Sequence, residues 1–199
     1  SAGEALTSPR AVYPRPQLKR DSFFCLNGQW DFGTDKNFSE KITVPFCPES
    51  ELSGIGYKDF IPAVWYRKSV NITSENLEGR VFINFGAVDY EATLFVNGKK
   101  AGFHKGGYSS FKFEITDLVT EGDNVITVFA ADDSRDDMNP SGKQSAPYAS
   151  KGCYYTRTTG IWQTVWYEIV PENYLKHAKI TPDLENGAVA IEAVSYSDR

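Results

Sequence analysis

Carboxylates crowd one short stretch of this sequence. Asp132, Asp133, Asp136 and Asp137 share residues 132–140 with Ser134, Arg135 and Asn139. Hard oxygen ligands at that density suit Ca²⁺. Their spacing does not match a Ca²⁺ loop such as an EF-hand, and no Gly stands where its sharp turn needs one. A solvated loop is therefore expected, and no cofactor is assigned. Lys143, Gln144, Tyr148, Tyr154, Tyr155, Thr156 and Arg157 follow. Amide, hydroxyl and guanidinium groups bond sugar hydroxyls, and aromatic faces stack on the apolar faces of sugar rings. The mix suits a neutral, polyhydroxylated ligand. It also serves an ordinary interface or a buried turn, and the two readings stand side by side.

Other chemistries find less support. His104 and His177 are the only histidines and lie far apart, so a His-based metal site or a Ser-His-Asp triad has thin backing. Residues 97–111 are dense in glycine, but a phosphate cradle needs such a loop to open a helix. No helical periodicity follows, which leaves a hairpin with a tight crossover and a structural role for His104. Cys25, Cys47 and Cys153 make an odd count without metal-ligand spacing. Buried free thiols are expected, with a pair left open in an oxidising compartment. A net charge of −5 argues against sequence-independent nucleic-acid binding. No run of about 18 apolar residues is present, so no membrane span is expected.

The elements that must position these residues read as β-strands. Alternation with β-branched and aromatic residues marks strands over 63–70, 80–85, 91–96, 111–115, 124–130 and 162–170. Asn97-Gly98 is a hairpin signal, residues 121–123 read as a turn, and residues 116–119 can form one short helical turn. Trp30, Trp65, Trp162 and Trp166 fall on strand patterns and are expected in the core. Many short antiparallel strands with regular turns imply a sandwich or jelly roll. After Pro171 and Asn173 the pattern restarts as strands over 175–180 and 189–194 around Glu185-Asn186-Gly187. The sequence opens without Met and closes directly after that last strand, so a fragment of a longer polypeptide is expected.

Several runs, taken in order, carry a family likeness. They are Leu26-Asn27-Gly28-Gln29-Trp30-Asp31-Phe32, Val44-Pro45, Trp65-Tyr66-Arg67-Lys68 and Phe95-Val96-Asn97-Gly98-Lys99, then Gly102-Phe103-His104-Lys105-Gly106-Gly107-Tyr108. Gly122-Asp123-Asn124-Val125-Ile126-Thr127-Val128 and Gly160-Ile161-Trp162-Gln163-Thr164-Val165-Trp166 complete the set. The chain resembles the N-terminal sugar-binding domain of glycoside hydrolase family 2, the family of β-galactosidase, β-glucuronidase and β-mannosidase.

The resemblance implies an all-β fold: a jelly-roll β-sandwich of the galactose-binding-domain type, followed by the first strands of an immunoglobulin-like β-sandwich. On this reading residues 1–20 are an extended segment, 21–173 the sugar-binding domain, and 174–199 the start of a truncated second domain. A (β/α)₈ barrel would come later and carry the two glutamates of retaining hydrolysis. The partners implied are a carbohydrate substrate and the absent immunoglobulin-like and barrel domains, with homo-oligomer formation left open. The chain alone is expected to be inactive, with no catalytic residue and no metal ligand of its own.

Galactosidase and glucuronidase members place a sugar-binding Asp in the loop before the Gly-Ile motif. The matching position here is Tyr154, a phenol without charge or bidentate reach. Lys143, Gln144, Tyr154, Tyr155 and Arg157 are therefore the candidate substrate-binding residues. A periplasmic or secreted location is expected. Two other functions fit a β-sandwich: a free-standing lectin-like module, which would bind sugar unaided, and an adhesion or scaffold domain, whose polar loop would pack away from any cleft.

Overall fold

The computed structural model describes residues 9–15, 18–57, 59–132 and 158–197. Within them the chain forms β1 (Phe23–Cys25), β2 (Gly28–Gly33), β3 (Glu40–Val44), β4 (Ala63–Ile72), β5 (Arg80–Phe85), β6 (Val88–Asp89) and β7 (Glu91–Val96). These are followed by β8 (Lys99–Lys105), β9 (Phe111–Glu114), β10 (Gly122–Ala131), β11 (Gly160–Ile161), β12 (Val165–Val170), β13 (Tyr174–Asp183) and β14 (Ala188–Tyr196). One larger sheet has the order β3-β2-β4-β10-β7-β8, and a smaller one the order β1-β12-β5-β9. Every pairing is antiparallel.

Side-chain alternation explains why these two sheets face each other. On β4, Val64, Tyr66, Val70 and Ile72 are buried, and on β10 Ile126, Val128 and Ala130 join them. From the opposite sheet Val81, Ile83, Phe85, Val165 and Tyr167 enter the same core. A period-2 pattern with one buried face is what a two-layer sandwich needs. β4 and β10 pair along their full length, from Gly122↔Ile72 to Ala131↔Ala63. This long ladder is the spine of the fold.

Asn97-Gly98 closes the β7–β8 hairpin with φ of 51° and 79°, the positive-φ pair of a type I′ turn. The Asn97 side chain also accepts from Val125 N at 2.9 Å and donates to Leu118 O at 2.9 Å. The turn is thereby tied to β10 and to the β9–β10 connection.

Three expectations need correction. The strand expected over 162–170 is shorter, Val165–Val170, although Thr164 O still accepts from Gly86 N at 2.9 Å in the same register. Trp30 and Trp166 are buried, but Trp65 and Trp162 are only partly so. Trp65 lies on the outer face of the larger sheet, against Phe129 at 4.6 Å and under the Lys36 ammonium at 4.6 Å. Gly122, expected in a turn, opens β10 with φ of 91°.

The outer face of the smaller sheet is covered from the N-terminal side. The Tyr13 hydroxyl lies 3.0 Å from Glu168 Oε2 and 2.8 Å from Leu18 O. The Arg15 guanidinium sits over Trp166 at 5.2 Å, and Arg20 lies 3.6 Å from Glu168 Oε2. Arg20 also donates to Leu175 O at 2.7 Å, which ties this strap to β13. The β13–β14 hairpin projects from the sandwich with most side chains exposed. Its root is packed: Tyr174 is buried against Phe82 and Val170, and the Arg80 guanidinium lies 4.1 Å from the Tyr196 ring centroid.

Candidate functional site

One end of the sandwich is where β10 runs out and β11 begins. Asp132 and Thr158 bracket the segment between them, and the five candidate residues Lys143, Gln144, Tyr154, Tyr155 and Arg157 lie outside the described residues. So do Asp133, Asp136 and Asp137. Asp132 itself is not solvated as expected. It is buried, its amide donating to Pro62 O at 2.9 Å where the β4–β10 ladder ends. Among the described residues no group of His, Cys, Asp and Glu is placed to hold a metal ion.

The described wall of this end is built from residues 159–162, each pinned by a different neighbour. Thr159 donates its hydroxyl to Glu49 Oε1 at 2.6 Å and its amide to Glu49 Oε2 at 3.3 Å. Gly160 pairs with Asp89 across the short β6–β11 ladder. Its φ of 72° is the positive value that only Gly adopts freely. A Cβ at Gly160 would overlap the Tyr66 hydroxyl, with Tyr66 Cζ only 3.0 Å away. Ile161 N donates to that same hydroxyl at 3.3 Å. Trp162 donates its backbone amide to Ala87 O at 3.4 Å and its indole Nε1 to Gly107 O at 2.9 Å.

The opposite side of the wall is the turn after β8. Tyr108 is exposed and meets the Trp162 ring edge-on, centroids 6.1 Å apart. Gly107 cannot carry a side chain, because a Cβ there would overlap the buried Asp89 carboxylate, with its Cγ at 2.9 Å. His104 plays the structural part expected of it. Its ring stacks on Phe111 at 4.0 Å and its Nε2 lies 3.2 Å from Ser109 Oγ. The result is a held aromatic corner beside the buried Asp89 carboxylate.

Burial sets the electrostatics behind the wall. Glu49 is buried, which pushes its carboxyl above the usual range, while the Thr159 hydroxyl and amide pull it back. Cys47 beside it is pushed up to about 12, first by burial and then by the Glu49 charge. The Tyr66 hydroxyl is raised mainly by burial, against the Ile161 amide that lowers it. Cys47 is a free thiol. A thiol held up to that value carries almost no thiolate near neutral pH and is inert. In a Cys25→Ser, Cys153→Ser background, iodoacetamide at pH 8 should leave Cys47 unmodified until urea unfolds the chain. Labelling of the folded protein at the rate of a free thiol would refute this.

Glu49, Tyr66 and Asp89 escaped sequence reasoning. Glu49 sits among Pro45, Cys47 and Pro48 with no periodicity, and a lone Glu in such a run looks solvated. Tyr66 looks like any inward strand residue. Its hydroxyl matters only because β11, far along the chain, arrives beside it.

Residues 56–165 match the family described as glycosyl hydrolases family 2, sugar binding domain. The chain belongs to glycoside hydrolase family 2. Among relatives of this family 2 domain, a β-galactosidase of Thermoanaerobacter pseudethanolicus is 28% identical over 168 residues, covering 83% of this chain and 22% of the relative. A putative β-glucuronidase of Formosa agariphila is 33% identical over 137 residues, covering 67% of this chain and 15% of the relative. The chain thus spans about a fifth or less of the length of these relatives. In fold it is similar to a Ruminococcus gnavus β-glucuronidase solved with a C6-substituted uronic isofagomine, with a TM-score of 0.70 and 17% identity. That match covers 94% of this chain and 36% of the other.

Proposed function

We propose that this family 2 domain forms one wall of the sugar pocket of a longer retaining glycosidase. The pinned segment 159–162, which carries Trp162 against Tyr108, is the observation that supports this most. A wall whose backbone is fixed at four successive residues is preorganised for a rigid ligand. Hydrolysis then belongs to an acid/base and a nucleophilic glutamate on a barrel of the same polypeptide. The short span of the chain against its relatives supports that division, as does the exposed β13–β14 hairpin. On this reading residues 174–199 open an immunoglobulin-like domain whose further strands cover the hairpin, and residues 21–173 are the sugar-binding sandwich. The proposed location is periplasmic or secreted.

The decisive experiment is an assay of the full-length gene product on p-nitrophenyl β-D-galactoside, β-D-glucuronide and β-D-mannoside, with the 199-residue chain alongside. Turnover of at least one substrate by the full-length protein and none by the chain is expected. Turnover by the chain itself, or by neither, would overturn the assignment. Tight sugar binding by the isolated chain would point instead to a lectin-like module.

A further inference from the structure

We propose that Glu49 is a positioning residue for this site, the buried anchor that sets the Thr159–Trp162 wall at the angle the sugar requires. The inference rests on the reading of that wall as part of a glycosidase pocket. Glu49 also takes a hydrogen bond from the Cys47 thiol, and its link to the corner runs through Thr159.

Its geometry is that of a clasp. Both carboxylate oxygens engage one residue, at 2.6 and 3.3 Å, and the carboxylate is 5% exposed. The clasp fixes the residue just before the positive-φ glycine. Tyr66, on the spine strand β4, fixes the residue just after it. Together they set the direction in which Trp162 leaves the turn, and Trp162 in turn grips the Gly107 carbonyl. The chain from buried acid to exposed aromatic is thus continuous: Glu49, Thr159, Gly160, Ile161, Trp162, Gly107, Tyr108.

A turn that served stability alone has cheaper options. Burying a carboxylate is costly even when it is hydrogen-bonded, and an amide or hydroxyl could hold the Thr159 amide at less cost. The upward push on the Glu49 carboxyl is the mark of that cost. Buried acids held at a disadvantage concentrate at functional sites, where orientation matters more than stability. What the carboxylate adds is two acceptors in one plane, which hold backbone and side chain of Thr159 together and leave the turn a single orientation.

The test uses the full-length enzyme and whichever p-nitrophenyl glycoside it turns over. Loss of a wall that binds sugar alike in ground and transition states raises KM and spares kcat. Glu49→Ala is therefore expected to raise KM about tenfold or more, with kcat within about threefold of wild type. Glu49→Gln keeps an acceptor and a donor at the same reach, which a rotated Thr159 hydroxyl can match. With one acceptor in place of two it should recover only part of the loss, leaving KM about threefold above wild type. Thr159→Val should raise KM on its own and add nothing in the Glu49→Ala background, since both act on one clasp. An unchanged KM in folded Glu49→Ala, or equal losses in the Ala and Gln variants, would overturn the proposal. If Glu49→Ala fails to fold, the Thr159→Val result decides it in the same way.

A second readout separates this idea from the glycosidase reading. In the 199-residue chain, amide exchange at Ile161 and Trp162 should speed up about tenfold in Thr159→Val, with the β4–β10 ladder unaffected. Should the wild-type enzyme hydrolyse none of the glycosides, the functional reading fails and this exchange result alone judges the clasp. Unchanged exchange would refute it.

Discussion

Gly160→Val is expected to leave the sandwich unfolded at 37 °C, and Gly160→Ala to lose about 3 kcal/mol or more in urea unfolding. Two costs add. A side chain at φ of 72° costs about 1–2 kcal/mol, more for a β-branched residue. The new Cβ also overlaps the Tyr66 hydroxyl, and Tyr66 is fully buried between Trp30 and Phe32 with nowhere to move. Overpacking of that kind costs about 1–3 kcal/mol. Gly98→Ala is the matched control. Gly98 has φ of 79° but open space around it, so only the first cost applies. Tyr66→Phe should recover part of the Gly160→Ala loss by removing the clashing oxygen, although Cζ stays close. Equal losses at Gly98 and Gly160 would show that the Tyr66 contact carries no energy.

The second large effect is expected at Glu168. Its carboxylate is 2% exposed and meets the Tyr13 hydroxyl and Arg20 beneath the N-terminal strap. Arg15, Arg20 and Lys176 surround Lys112 in the same region, and Glu168 is the buried anion among them. Glu168→Ala leaves those cations facing one another and opens a void, a change of about 3 kcal/mol or more. Glu168→Gln keeps the volume and an acceptor for Tyr13, and about 1–2 kcal/mol is expected. Limited trypsin digestion should then cut at Lys19 or Arg20 in the Ala variant and spare the wild type. Equal trypsin resistance would show that the strap is not held by Glu168.

Tyr13 adds a pH signature to the same cluster. Its hydroxyl is pushed up to about 12, first by burial and then by the Glu168 charge and hydrogen bond. A raised acid is bound more tightly in the fold than in the unfolded chain. The contribution is therefore complete below the ordinary tyrosine value of about 10 and is lost as pH rises towards 12. Tyr13→Phe should flatten the alkaline arm of the stability curve between those limits. An unchanged arm would refute the assignment.

Much of this architecture is legible in the sequence because it depends on local signals. The strands at 80–85 and 91–96 have the bounds that alternation gives, and Asn97-Gly98 makes the turn its residue types demand. Gly160 takes a positive φ for the same local reason. What stayed hidden depends on distant partners. β1 has three residues and acquires its strand character from β12 alone. Trp65 follows the pattern of a core residue, yet the sheet turns it outward to Phe129 and Lys36. Glu49 and Asp132 look solvated by residue type, and only the assembled end of the sandwich buries them.

The order in which the ribosome delivers these strands gives β12 a further importance. It joins β1 to β5 in the smaller sheet, and its Glu168 is what the strap grips. β1 is the first of these strands to be synthesised and, among the described residues, pairs with β12 alone. β1 must therefore wait, and β5 keeps one open edge, until residues 165–170 emerge. Such exposed edges are templates for aggregation, and pairing between distant segments is slow. A nascent chain stalled before Val165 would hold nearly all of the sandwich strands without a closed small sheet, and chaperone capture is expected to peak in that window.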